Sequence, residues 1–292
     1  MKRILITGAN SYIGTSFEKY LEKWPDEYHV ETIDMVDDSW RDKSFAGFDT
    51  VFHVAGIAHS DTGKVSEERK ALYYKVNTEL TIETTKKAKV DGVKQFIFMS
   101  SAIVYGDSAP IGKQKIITKD IVPQPSNFYG DSKLQAENSI LPLQSNDFNV
   151  VVLRPPMIYG KGCKGNYQVL VKLALKLPVF PYVINERSML YIENLCEFIR
   201  LMTQNNEQGI FWPQNSEYTN TSEMVKMIAE AHGKKIKLVK GFQWLLTVMS
   251  RFTSLVNKAF GSLTYDKSLS YNKNIYLHNL KESIVLTEKS NG

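Results

Sequence analysis

The sequence predicts an α/β protein built on a doubly wound parallel sheet, and three observations predict it. Short apolar segments alternate with helical ones through the first half of the chain. Those segments are nearly continuous in apolar residues, as strands covered on both faces are. A glycine-containing turn, residues 8–14, stands between the first strand and the first helix. The elements follow in order. Strands are expected at 3–7, 29–33, 50–54, 95–99 and 149–153, with helices at 12–24, 67–90 and 128–143 between them. Pro155 and Pro156 end this run, because proline cannot continue a central strand. The second half is less regular. Residues 167–177 and 192–204 read as helices and 209–212 as a short strand. Residues 221–232 read as a helix with Thr221 or Ser222 as N-cap and Gly233 just past its end. Residues 242–260 carry an apolar stripe at helical spacing: Phe242, Leu245, Leu246, Met249, Phe252, Val256 and Phe260. Such a stripe fits a helix packed on its own domain, or a membrane-surface or partner helix, which Arg251 and Lys258 permit. The tail 287–292 is expected to fray.

Composition narrows the class. The 292 residues are 43% hydrophobic and 23% charged, with a net charge of +5, the profile of a soluble globular protein. No apolar run reaches the ~18 residues of a membrane span. The N-terminus enters a strand directly, so no signal peptide is expected. Cys163 and Cys196 provide neither a disulfide framework nor zinc spacing, so no metal is expected, and a cytoplasmic location fits. The lysines are scattered and form no basic stripe interleaved with aromatics, which argues against nucleic acid. A mildly positive balance suits a small polyanionic substrate as well as it suits solvated lysine faces. No internal repeat or low-complexity segment occurs.

The turn at 8–14 has the strand-before, helix-after context of a dinucleotide fingerprint. Gly8 permits a tight turn, and Gly14 permits close packing of helix on strand. Asn10 lies in the turn, and the backbone amides of Ser11, Tyr12 and Ile13 open the helix, where amides and dipole can hold a pyrophosphate. Ser11 replaces the usual middle glycine. Asp34 lies 20 residues after Gly14, at the end of the second strand. A carboxylate there accepts both hydrogen bonds of a ribose diol and repels a 2′-phosphate, which favours NAD over NADP. The fold is thus Rossmann-type. Residues 1–155 and 188–213 are assigned to the NAD-binding domain, and 156–187 with 214–292 to a smaller α/β substrate-binding region.

Tyr129 and Lys133 stand four apart in an expected helix and therefore share a face. A free tyrosine, with a pKa of about 10, is a poor base at neutral pH. A cation within about 4–6 Å favours its ionised form by roughly 1–3 units, so Lys133 is expected to make Tyr129 a usable acid or base. Ser101 lies upstream, after the 95–99 strand.

These segments, with Phe52-His53-Val54-Ala55-Gly56, Asn77, Met99-Ser100-Ser101 and Leu153-Arg154-Pro155-Pro156-Met157-Ile158-Tyr159-Gly160, resemble the extended short-chain dehydrogenase/reductases. Within that family they are similar to the NAD-dependent nucleotide-sugar epimerase/dehydratase group. The resemblance covers most of residues 2–213. It implies that Ser101 hydrogen-bonds the reacting sugar oxygen, that Tyr129 is the acid/base, and that Lys133 holds the nicotinamide ribose. It implies that Val54, Ala55, Gly56, Asn77, Met99, Pro156 and Met157 line the cofactor. It also implies that Ile103, Arg187 and Asp266 meet substrate, with Arg187 on its diphosphate, and it usually comes with a homodimer. Asn166 and Tyr167, at the start of a helix, are candidates for phosphate or sugar.

Dehydratases of this group resemble Thr-Asp-Glu where this chain has Ser101-Ala102-Ile103, and related decarboxylases carry a glutamate before Val-Tyr-Gly. No carboxylate occurs in residues 101–106, so dehydration and decarboxylation are not expected. A UDP-hexose 4-epimerase is favoured, since residues 101–105 look most like that group, with a UDP-sugar as substrate. The alternative is an NAD(P)H-consuming 4-keto-sugar reductase. A non-catalytic NAD-binding regulator is a third class, but such relatives typically lose the tyrosine or lysine. His53 is expected to be packed or beside the cofactor, His59 to lie on the loop after it, and Cys163 to be an ordinary loop thiol.

Overall fold

Six parallel strands form one sheet, in the spatial order Gly209–Phe211, Asn149–Leu153, Gln95–Met99, Thr50–His53, Lys2–Thr7, Tyr28–Ile33. The coordinates are a computed structural model that describes residues 1–57, 65–249, 254–271 and 276–289. The strand order reverses beside the first strand, the arrangement that places ligands at the carboxyl ends of the strands. Alternate strand residues point to opposite faces. Leu5, Val51, Phe96, Phe98, Val150 and Val152 pack on one face with Trp40, Phe45, Ala136 and Ile140. Ile4, Ile6, Phe52, Ile97 and Val151 are as fully buried on the other, where Phe17 meets Phe52 edge-on at 5.4 Å. Burial on both faces is why these strands read as continuous apolar runs. Each such side chain contributes about 1.5–3 kcal/mol relative to exposure.

The helices of this part follow from local chemistry. Ser11 caps Tyr12–Leu21 by accepting from the Gly14 amide at 3.1 Å. The expected helix at 67–90 is three pieces: Glu67–Tyr74, a π-turn at Lys75–Glu79, and Leu80–Val90. Phe128–Ile140 is capped by Asn127 and ends in a short 3₁₀ turn, Leu141–Leu143.

The chain divides into two units. One comprises residues 1–106, 122–155 and 195–213; the other comprises 107–121, 156–194 and 214–292. Residues 107–121 and 188–194, which the sequence reading gives to the nucleotide-binding part, group with the second unit. Long-range pairing is the cause. Ile116–Ile117 pairs with Thr264–Tyr265, and Met189–Tyr191 with Met157–Tyr159, both parallel. A third parallel pair joins Val179–Pro181 to Lys237–Val239. Helices Asn166–Lys176, Thr221–Ala231 and Leu280–Glu288 belong to this unit. The N-cap of Thr221–Ala231 is Asn220, not Thr221 or Ser222; its side chain accepts from the Ser222 and Glu223 amides. The expected frayed end is partly a correction as well. Thr287 and Glu288 lie in the last helix, where the Thr287 hydroxyl donates to the Ser283 carbonyl; residues 290–292 are outside those described. Of the helix expected at 242–260, Gln243–Met249 and Ser254–Phe260 are helical among the described residues; residues 250–253, with Arg251 and Phe252, lie outside those described. No described helix is long and apolar enough to cross a membrane.

Candidate functional site

The glycine turn is tied to two neighbouring strands. The Gly8 and Ala9 amides donate to the Ile33 carbonyl at 2.9 and 3.2 Å, and the Val54 amide donates to the Thr7 carbonyl at 3.2 Å. Gly8 has φ +94°, and a Cβ there would stand 2.7 Å from the Ala55 nitrogen. Only glycine therefore lets the backbone of residues 54–55 pass this close. Asn10 also takes a positive φ, +66°, a conformation asparagine tolerates. Ser11 uses its hydroxyl as helix cap, and its amide donates to the Gly8 carbonyl at 3.1 Å. The serine therefore stabilises the turn where a glycine is usual, at the expense of its own amide and that of Gly14 as anion donors. The helix N-terminus still presents its dipole to this turn. Asp34 follows Ile33 directly, is exposed, and accepts from the Val36 amide at 2.9 Å. The carboxylate and the glycine turn thus share one end of the sheet, and the narrow backbone cradle at Gly8 fits a dinucleotide. Gly8→Ala is expected to cost about 1–3 kcal/mol of backbone strain and to weaken NADH binding by at least roughly tenfold, read by fluorescence titration beside a thermal melt. Unchanged NADH affinity would contradict the cradle.

The second half of this site is built on Phe128–Ile140. Asn127 caps it through the Gly130 amide at 2.9 Å. A Cβ on Gly130 would fall 2.8 Å from the Ile103 carbonyl, so the glycine lets the helix press against the 3₁₀ turn Ala102–Tyr105. Ser101, extended at the start of that turn, accepts from the Ile103 amide at 3.3 Å, and its hydroxyl is hydrogen-bonded to Tyr129. Lys133 is buried; its ammonium donates to the Met99 carbonyl at 3.0 Å and lies 4.7 Å over the Phe98 ring. A Cβ on Gly56 would come within 3.2 Å of that ammonium. Asn77, inside the π-turn, accepts from the Ile57 amide at 2.9 Å and donates to the Ser132 hydroxyl at 3.2 Å. It therefore clamps the loop after Gly56 to the helix carrying Tyr129 and Lys133. The structure thus gathers Ala55, Gly56, Asn77, Met99, Ser101, Tyr129 and Lys133 at the strand ends of one unit.

The electrostatics correct one expectation. Tyr129 is half-buried, and burial pushes its pKa up to about 12, partly offset by the Ser101 hydrogen bond. Lys133 is not among the groups that shift it. The lysine is itself pulled down to about 8 by burial, with Glu137 opposing. The helix spacing puts the two side chains on one face, yet Lys133 by itself does not make a phenolate at neutral pH. His53 is a packed residue, as one expectation had it. It lies between Thr7 at 2.7 Å and Thr81 at 3.1 Å, and burial, then Lys133, holds it down near 3. His59 lies outside the described residues.

Sequence reasoning missed a buried network behind this face. Glu137, four residues past Lys133, is fully buried and holds Arg154 through Nε at 3.1 Å and Nη2 at 2.5 Å. Ser100 donates to the same carboxylate. Arg154 donates to the Tyr105 hydroxyl at 2.6 Å, and Trp212 donates to it at 2.7 Å. The available signal was the spacing itself: a glutamate at i+4 from a buried lysine, and an arginine ending an apolar strand.

The remaining expected residues belong to the second unit. Pro156 is buried and Met157 half-buried, at the start of the strand Met157–Tyr159. Asn166 is exposed and begins its helix. Tyr167, a candidate for sugar or phosphate, is instead packed on Tyr159 and donates to Glu288 at 2.6 Å. The backbone of Arg187 pairs with Thr219; its guanidinium donates to the Ala259 carbonyl at 3.2 Å, and burial holds it below its usual pKa. Asp266 caps the turn Lys267–Leu269 through the Ser268 amide at 2.8 Å. Arg187 and Asp266 thus flank one stretch of chain, since the Leu263 amide donates to Glu186 and the Tyr265 amide to Ser188. Cys163 is buried, which raises its pKa, so the neighbouring lysines do not activate it.

A family model, the NAD dependent epimerase/dehydratase family, matches residues 4–211. A UDP-glucose 4-epimerase of Vibrio cholerae is 29% identical over 304 residues, covering 97% of this chain and 90% of the relative. An N-acetyl-alpha-D-glucosaminyl-diphospho-ditrans,octacis-undecaprenol 4-epimerase of Escherichia coli O157:H7 is 29% identical over 252 residues, covering 80% and 73%. The fold matches that of a UDP-glucuronic acid 4-epimerase of Bacillus cereus in complex with NAD, with TM-score 0.72, 19% identity, and 98% and 97% of the two chains covered. With its glycine turn, its serine and its tyrosine–lysine helix in this sheet, the chain belongs to the NAD dependent epimerase/dehydratase family.

Proposed function

We propose that the protein is a 4-epimerase of a hexose carried on a diphosphate, with a UDP-hexose as the favoured substrate. The observation that carries this reading is the Ser101–Tyr129 hydrogen bond beside a buried Lys133, next to a turn without a carboxylate. Both relatives named above are 4-epimerases of diphosphate-linked sugars. Gly8, Asn10, Ser11, Tyr12, Ile13 and Gly14 form the turn that receives the pyrophosphate of NAD, with Gly8, Ser11 and Gly14 shaping it and the helix dipole facing the anion, and Asp34 takes its ribose. Val54, Ala55, Gly56, Asn77, Met99, Pro156 and Met157 line the rest, and Lys133 holds the second ribose. Bound NAD supplies hydride exchange at sugar C4. Tyr129 takes the proton of the 4-hydroxyl and later returns it, while Ser101 holds the same oxygen. Ile103, Asn166, Arg187 and Asp266 are the proposed substrate contacts, with the Arg187 guanidinium on the diphosphate. Without a carboxylate in residues 101–106, nothing there shuttles a proton at C5, so the keto sugar turns over and is reduced on its other face.

The test incubates the protein with a panel of UDP-, dTDP- and GDP-hexoses and an undecaprenyl-diphosphate hexose, with catalytic NAD, and follows C4 by proton NMR. Interconversion of C4 epimers is expected without net NADH formation. Stoichiometric NADH oxidation on a 4-keto sugar, with no epimer from any hexose, would assign the chain to the reductases instead. Sedimentation of the same samples tests for a homodimer.

A further inference from the structure

The helix Gln243–Met249 is inverted relative to an ordinary surface helix. At ~100° per residue, Trp244, Val248, Leu245 and Met249 fall within an arc of about 140°. All four face solvent, from 38% exposed at Leu245 to 70% at Trp244. The half-buried positions are Leu246 and Thr247, on the opposite side. Phe242, just before the helix, is also exposed. The neighbouring helix Ser254–Phe260 behaves conventionally, burying Val256 and Phe260, the latter 5.7 Å from Phe180. A contiguous exposed apolar arc containing a tryptophan is the mark of an interaction surface rather than of scattered surface residues.

A second, independent observation identifies the partner. Between Glu230 and Asp266 the sequence has no aspartate or glutamate, but carries Lys234, Lys235, Lys237, Lys240, Arg251 and Lys258. The four lysines that precede the helix are all exposed. Lys237 sits on the strand Lys237–Val239, opposite Val179, itself an exposed apolar residue. The whole chain carries acidic and basic residues in near balance, so this local charge is not a reflection of overall composition. Exposed apolar side chains with an aromatic, joined to an all-basic stretch, complement an anionic lipid surface. The apolar arc enters the headgroup–acyl boundary, and the lysines pair with the lipid phosphates.

We infer that residues 234–249 form a surface that docks the protein on anionic phospholipid membranes. The inference stands apart from the sugar chemistry and does not need it. The experiment is flotation of the full-length protein with vesicles of phosphatidylglycerol and phosphatidylcholine in equal parts, or of phosphatidylcholine alone. The expected result is binding to the anionic vesicles at least tenfold tighter than to the neutral ones, a blue shift of Trp244 emission on binding, and release in about 1 M salt, where the screening length is about 3 Å. Trp244→Glu with Val248→Glu, and separately Gln at Lys234, Lys235, Lys237 and Lys240, should each weaken binding at least tenfold while NADH affinity stays at the wild-type value. The retained affinity reports that both variants are folded. Equal binding to both vesicle types, no binding to either, or wild-type binding by either variant overturns the inference. If the wild type binds no vesicles and sediments as a dimer that the glutamate variant splits, a second copy covers the arc and the membrane reading is wrong.

Discussion

Tyr129→Phe is expected to lower kcat by about 10²–10⁴-fold, the range a positioned acid or base supplies, and to leave NADH binding nearly unchanged. The ring is kept, so its edge contact with Tyr73 at 6.1 Å persists; only the hydroxyl bonded to Ser101 is lost. The same variant isolates the titration of this one phenol by difference spectroscopy. In the protein by itself the midpoint is expected near 12, where burial puts it. A cationic nicotinamide beside the phenol favours the phenolate, by roughly 1–3 units for a close opposite charge, so with NAD⁺ the midpoint should move down. Identical midpoints with and without NAD⁺ would remove the cofactor from the activation of Tyr129. Retained turnover in the phenylalanine variant would remove Tyr129 from the chemistry altogether.

Glu137→Gln is expected to destabilise the protein by about 3 kcal/mol, at the low end of the 3–5 kcal/mol that follows from breaking a buried pair. Glu137 is fully buried and the Arg154 side chain is 7% exposed, so the guanidinium would be left charged and poorly compensated. Arg154 holds its proton above the usual range although burial opposes it, because of Glu137 and Tyr105. The variant loses the Glu137 part of that support, but a guanidinium does not deprotonate in a protein, so Arg154 still bears the penalty. Urea unfolding measures the loss. Adding Arg154→Met to Glu137→Gln should restore part of the stability, since an unpaired charge no longer remains. A second readout separates support from electrostatics. Glu137 raises the pKa of Lys133 against the burial that lowers it to about 8. Without the carboxylate, Lys133 should lose its proton at lower pH, and the alkaline limb of kcat should move in the same direction. A full loss of stability with an unmoved pH profile would make Glu137 a purely structural residue.

Much of the first unit was legible because its signals are local. The strands Gln95–Met99 and Asn149–Leu153 are where uninterrupted apolar runs put them. Gly8 and Asp34 are fixed by spacing from the first strand. The π-turn at Lys75–Glu79 was not legible, since its residues suit an α-helix and only the Asn77 clamp on Ile57 and Ser132 shows why the ladder shifts there. The Tyr129–Lys133 spacing puts both residues on one helix but does not register the burial that raises the phenol and lowers the ammonium. Sequence spacing reports proximity but not burial, and burial is the larger influence on both groups. The second unit was the least legible. Its strands are two or three residues long and pair across great sequence distances, so neither periodicity nor turn chemistry announces them. The helix at Gln243–Met249 shows the limit of the apolar stripe as a signal, since it marks a face without saying whether that face looks inward.

The order in which the two units are threaded has a bearing on how the chain is made. A nascent chain emerging from the ribosome carries five strands of the six-stranded sheet once Leu153 has appeared, and their parallel pairing can begin at once. Two of the short pairs of the second unit close much later. Ile116–Ile117 waits for Thr264–Tyr265, and Val179–Pro181 for Lys237–Val239. Non-local pairings of this kind slow folding and leave partly built species exposed. The first unit is therefore the natural scaffold on which the second is completed after synthesis. A gene truncated after Pro213 would yield a protein with its whole large sheet but without the strands that Ile116–Ile117 and Val179–Pro181 pair with.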